Sequence, residues 1–141
     1  MSRTNYFLLC ENIVTDENNK VTLVNTFDEI IVDDLPVFCG KIVVALDISF
    51  SAEELKKDDV VFKIEVLNPK QKLILSATGK GKKGKTKKNA RIISHVDLTG
   101  ALKLGYEGTY TVGLFFEGQK LAATKFEVLL EKKSNQQKDE T

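Results

Sequence analysis

Between Leu75 and Ile92 the chain carries GKGKKGKTKKNAR, which places seven positive charges, Lys80, Lys82, Lys83, Lys85, Lys87, Lys88 and Arg91, on one stretch without an acid. Within it Gly79, Gly84, Lys85 and Thr86 match the phosphate-loop pattern G-x-x-x-x-G-K-[ST], in which backbone N–H groups cradle phosphates at a strand-to-helix junction. That chemistry needs a helix after Thr86. The following Lys87-Lys88-Asn89-Ala90-Arg91-Ile92-Ile93 lacks helical apolar spacing. Asp97, the candidate magnesium ligand, follows too soon for a parallel crossover. The stretch therefore reads as a mobile, basic hairpin loop over 79–91, kept in water by the mutual repulsion of its lysines.

The other reactive groups are sparse. Ser94, His95 and Asp97 spell a triad in the text, but on a strand Ser94 points away from the face shared by His95 and Asp97. Cys10 and Cys39 lie in apolar, strand-like contexts without a CxxC spacing and read as two reduced thiols. The acidic pairs Asp28-Glu29, Asp33-Asp34, Glu53-Glu54 and Asp58-Asp59 lack the alternating oxygen spacing of a calcium loop. They read as solvated carboxylates and as landing sites for the basic loop. No catalytic residue, metal, cofactor or small-molecule substrate is expected.

The elements that position these groups are strands. Ile42, Val44, Leu46, Ile48 and Phe50 share one face of an alternating segment, with Lys41, Asp47 and Ser49 on the other. Val60, Phe62, Ile64 and Val66 repeat the rhythm, as do Tyr110, Val112, Leu114 and Phe116. Tyr6 to Ile13 and Val21 to Ile31 flank a turn, and Gly118 turns a second hairpin into a strand from Leu121 to Leu130. Leu73 to Thr78 and Ile92 to Leu98 flank the basic stretch. One helical turn is expected at Ser51 to Lys56, and a disordered tail over 134–141. Many short strands joined by turns predict an all-β antiparallel sandwich of about eight strands, a single domain over 1–133.

The chain has 141 residues and a formal charge of +1. Of its 21 basic residues seven belong to the loop, so 14 remain against 20 acids and the body is anionic. No stretch approaches the length of a membrane span, and the first residues do not form a secretion signal, so a cytoplasmic location is expected.

The segment LGYEGTYTV, from Leu104 to Val112, resembles the start of the tyrosine-bearing strand near the end of immunoglobulin-like domains. From Tyr6 to Leu130 the order YFLLCENIV, KVTLVNTFDEIIV, Leu35-Pro36, a long alternating strand and EGTYTVGLFFEGQKLAATKFEV resembles small single-domain bacterial β-sandwich proteins of unknown function. The resemblance implies an immunoglobulin-like β-sandwich and brings no activity with it. Together these readings predict a non-enzymatic interaction module that binds a protein partner or another copy of itself. The alternative is a weak, sequence-independent nucleic-acid-binding accessory protein acting through Lys80, Lys82, Lys83, Lys85, Lys87, Lys88 and Arg91.

Overall fold

The computed structural model describes residues 2–18, 20–51, 59–85 and 89–131, and every regular element among them is a strand. The elements are β1 (Arg3–Thr15), β2 (Val21–Phe27), β3 (Glu29–Val32), β4 (Val37–Phe38), β5 (Val43–Ser51), β6 (Asp59–Leu67), β7 (Leu73–Lys85), β8 (Asn89–Asp97), β9 (Lys103–Leu104), β10 (Gly108–Phe116) and β11 (Gln119–Leu130). Nine of them form one sheet in the order β2-β1-β5-β8-β7-β6-β10-β11-β3, and β4 pairs with β9 separately.

The long sheet curls into a half-barrel because β7 serves both halves. Its residues 73–82 pair with β6, whereas only Lys83, Gly84 and Lys85 pair with β8. The sheet folds over at this corner, and the half β2-β1-β5-β8 comes to face the half β7-β6-β10-β11-β3. Val44, Leu46, Ile48 and Phe50 of β5 then share one core with Val60, Phe62, Ile64 and Val66 of β6 and Tyr110, Val112 and Leu114 of β10. The Phe50 and Phe116 rings meet at 5.5 Å, and β1 touches β11. Each buried Leu, Ile or Phe contributes about 1.5–3 kcal/mol, so the alternation of these three strands is the main source of stability.

The structure corrects the expected strand count and pairing. There are eleven strands rather than eight among the described residues, because β3, β4 and β9 are only two to four residues long. Val21 to Ile31, expected as one strand, divides at Asp28: β2 pairs with β1, while β3 pairs with β11 at the far end of the sheet. That last pair is parallel, so the architecture is not wholly antiparallel. The helical turn expected at 51–56 falls outside the described residues except for Ser51, which ends β5, and the expected tail over 134–141 also lies outside them.

Tyr110 locks the turn that leads into β10. Its buried hydroxyl donates to the Tyr106 carbonyl at 2.8 Å and accepts from the Tyr106 N–H at 3.1 Å, while its ring stacks on Phe126 at 5.1 Å. A tyrosine hydroxyl returning to backbone a few residues upstream is the tyrosine corner of sandwich proteins. Tyr110→Phe keeps the stack but strands both backbone groups. The expected loss is about 1–2 kcal/mol in urea unfolding, and unchanged stability would show that water replaces the hydroxyl.

Candidate functional site

The basic stretch, expected as a loop over 79–91, is strand at its described positions. Residues 79–85 complete β7 and 89–91 begin β8. GKGK is a period-two pattern in which glycine takes the inward places and lysine the outward ones. A Cβ on Gly79 would lie 2.7 Å from Val96 Cγ2 and closer still to the Phe62 ring, and one on Gly81 would lie 2.8 Å from Ile92 Cγ2. Glycine is thus required here for close approach of β8 side chains to the β7 backbone. Because Gly79 to Lys85 is extended and β8 starts at Asn89, the phosphate-loop match does not build the strand-to-helix cradle it would need.

The structure describes the seven cations named from the sequence to different extents. Lys80 and Lys82 are exposed on the outer face of β7. Lys83 and Lys85 have their backbone in β7, and Lys87 and Lys88 lie outside the described residues. Arg91 differs from the exposed lysines in that its guanidinium is paired with Asp47. Its Nε donates to Asp47 Oδ1 at 2.8 Å, and a second N–H bonds and ion-pairs with Oδ2 of the same carboxylate.

Asp47 is 2% exposed although strand alternation assigns it to water. The β5–β8 register sets Ser49 opposite Arg91, and Asp47 stands on the same face one pair away. Asn5 adds a third donor to the carboxylate, reaching Asp47 Oδ1 at 3.0 Å, and also bonds Ser49 Oγ at 2.8 Å. Burial pushes the Asp47 carboxyl up. The hydrogen bonds from Arg91 and Asn5, with the charges of Arg91 and Arg3, outweigh that effect and hold it below the usual carboxylate range. This pair is a structural clamp, and the sequence carries no local signal for it.

At the β7–β8 corner the two strands diverge beyond their short pairing, and an open groove of about 990 Å3 results. Ile13, Val21, Val61 and Ile93 supply apolar lining from four strands. Lys80, Lys82 and His95 supply polar groups, with Asp59 as the carboxylate opposite Lys82. Val61 and Ile93 are 55% and 40% exposed, so the groove presents substantial apolar surface to solvent. Sequence reasoning missed these lining residues because each is a single outward apolar side chain on a different strand.

The groove brings exposed apolar side chains and lysines together. The Ser94 hydroxyl donates to the Lys80 carbonyl at 2.8 Å, and Asp97 accepts from the Thr99 N–H at 2.9 Å, so Ser94, His95 and Asp97 do not assemble as a triad. Among the described residues no three of His, Cys, Asp and Glu gather as metal ligands. Cys10 and Cys39 are buried and unbridged, and burial pushes the Cys39 thiol up to about 11. No described helix is long and apolar enough to cross a membrane.

No curated protein matches the chain. Among solved structures, Pseudomonas fluorescens alkylpurine DNA glycosylase AlkC bound to DNA containing an abasic site analog is similar at 9% identity and a TM-score of 0.40. That match covers 87% of this chain, which spans only 30% of the glycosylase chain, and a score so low carries no argument. Residues 5–129 match the family described as "Family of unknown function (DUF6941)", and the chain belongs to that family.

Proposed function

We propose that this protein is a non-enzymatic protein-interaction module of a bacterial cytosolic system, built on an immunoglobulin-like variant of the β-sandwich. The tyrosine corner at Tyr110 and the core shared by two facing sheet halves support the immunoglobulin-like reading. The observation that carries the functional reading is the groove at the β7–β8 corner. Exposed Val61 and Ile93 lie there beside Lys80 and Lys82, and the Ser94 hydroxyl in the same lining is engaged with the Lys80 carbonyl. An apolar floor with a charged rim is the anatomy of a protein-docking surface.

The exposed lysines also support a second reading, contact with nucleic-acid phosphates. Two features weigh against it. Arg91 is paired with Asp47, and among the described residues no Phe, Tyr or Trp lines the groove to stack a base, His95 being its one aromatic ring.

One experiment separates the two. The intact chain, Val61→Asp/Ile93→Asp, and a variant with Lys82, Lys83, Lys85, Lys87 and Lys88 exchanged for Gln are each used as bait in native lysate. The intact chain is expected to retain a protein, a further copy of itself included, and the groove variant to retain it about tenfold less, a loss of 1.4 kcal/mol. Retention of RNA or DNA alone, abolished by the glutamine exchanges, would transfer the function to the second reading.

A further inference from the structure

The basic groove has a chemical counterpart on the same chain. β3 is the outermost strand of its half, pairs with β11, and has no other strand on its second edge among the described residues. Its segment reads Asp28-Glu29-Ile30-Ile31-Val32-Asp33-Asp34, and Asp28, Glu29, Asp33 and Asp34 are all exposed. Ile31 is 63% exposed and lies opposite Leu129, itself 39% exposed. The edge is therefore an aliphatic patch framed by carboxylates. The groove is an aliphatic patch bordered by Lys80, Lys82 and Arg91, with Asp59 as its one carboxylate among the described lining residues.

This edge cannot pair with its own copy on another molecule, because the carboxylates of the two strands would be brought together. It also cannot reach the groove on its own molecule. Between β3 and β7 stand β11, β10 and β6, so the two strands are about 19 Å apart along the sheet at the usual interstrand spacing. Resting on the interaction-module reading above, we propose that the groove at the β7–β8 corner receives the β3 edge of a second copy of this chain. Ile31 seats against Val61 and Ile93, and the carboxylates of Asp33 and Asp34 meet the ammonium groups of Lys80 and Lys82. The two surfaces differ, so the contact is head-to-tail and propagates into an open row or closes as a ring.

The test measures solution mass across a concentration series at low and high ionic strength, since screening shortens from about 30 Å at 0.01 M salt to about 3 Å at 1 M. A groove variant, Lys80→Glu/Lys82→Glu, and an edge variant, Ile31→Asn/Asp33→Asn/Asp34→Asn, change exposed positions only, and circular dichroism checks that both stay folded. The intact chain is expected to grow in mass with concentration and to shrink with salt, and each variant alone to stay monomeric. Mixed, the variants are expected to form a one-to-one dimer and nothing larger, because one retains only the edge and the other only the groove. An intact chain that is monomeric throughout, variants that assemble alone, or a mixture that does not pair would each overturn the inference. A monomer that retains a different protein through Val61 and Ile93, or that binds RNA there instead, overturns it too; the first of these leaves the interaction-module reading in place and the second removes it.

Discussion

Arg91→Ala is expected to lower the unfolding free energy by about 3 kcal/mol at neutral pH. The substitution leaves the Asp47 carboxylate, 2% exposed, with Asn5 as its remaining side-chain donor among the described residues. Breaking one side of a buried ion pair costs about 3–5 kcal/mol, and the lower end applies because the Arg91 side chain is 46% exposed and water enters where it leaves. The loss depends on pH with a definite sign. In the intact protein the Asp47 carboxyl is held below its ordinary range, so its contribution is present above that range and disappears as pH falls through the lowered value. In the variant burial dominates and raises the carboxyl, which then takes up a proton in mild acid and relieves the penalty. The difference between the two proteins should be largest near neutrality, begin to shrink as pH falls through the raised range of the variant's carboxyl, and be lost below the lowered value of the intact protein.

Urea unfolding at several pH values measures both the size and the trend. A variant as stable as the parent but weaker on a polyanion column would return Arg91 to the phosphate-binding role expected from sequence. Asp47→Val/Arg91→Met, which removes both charges, should recover much of the loss, because the desolvation of the ions disappears with them.

Gly79→Ala is expected to destabilise by about 3 kcal/mol, opposite in sign to its effect in a flexible loop. In a loop with ordinary φ the exchange would stabilise by about 0.4–1 kcal/mol through the unfolded chain. Here the new methyl group would collide with Val96 and with the buried Phe62 ring, and overpacking of a closed core costs about 1–3 kcal/mol or more. Gly84→Ala is the control. Its nearest neighbour is the Arg91 carbonyl at 3.4 Å, and a change within about 0.5 kcal/mol is expected. Equal effects of the two exchanges in thermal unfolding would refute the assignment of Gly79 to the corner.

These two variants also mark where sequence reading works. The inward faces of β5, β6 and β10 are legible because every second side chain is apolar and the core accepts one face of each strand. The lysine–glycine alternation of β7 has the same period, but glycine carries no hydrophobic signal and is normally read as a breaker. Asp47 sits in the outward set of β5, and its burial follows from a neighbouring strand that begins at Asn89. The break at Asp28 is equally silent. Apolar residues run on both sides of it, and only the choice of pairing partner at opposite ends of the sheet separates β2 from β3. The groove is the least legible part, since Ile13, Val21, Val61 and Ile93 are united only by the curl at β7.

The parallel pairing of β3 with β11 has a consequence for synthesis. Glu29 leaves the ribosome long before its partner Glu127 is translated, so the nascent polypeptide must hold an aliphatic strand in waiting while the rest of the half-barrel is made. Exposed strands of that kind are where polysomes lose product to co-aggregation. Asp28, Glu29, Asp33 and Asp34 bracket the waiting segment with like charge, the pattern by which gatekeeper residues oppose association of hydrophobic strands.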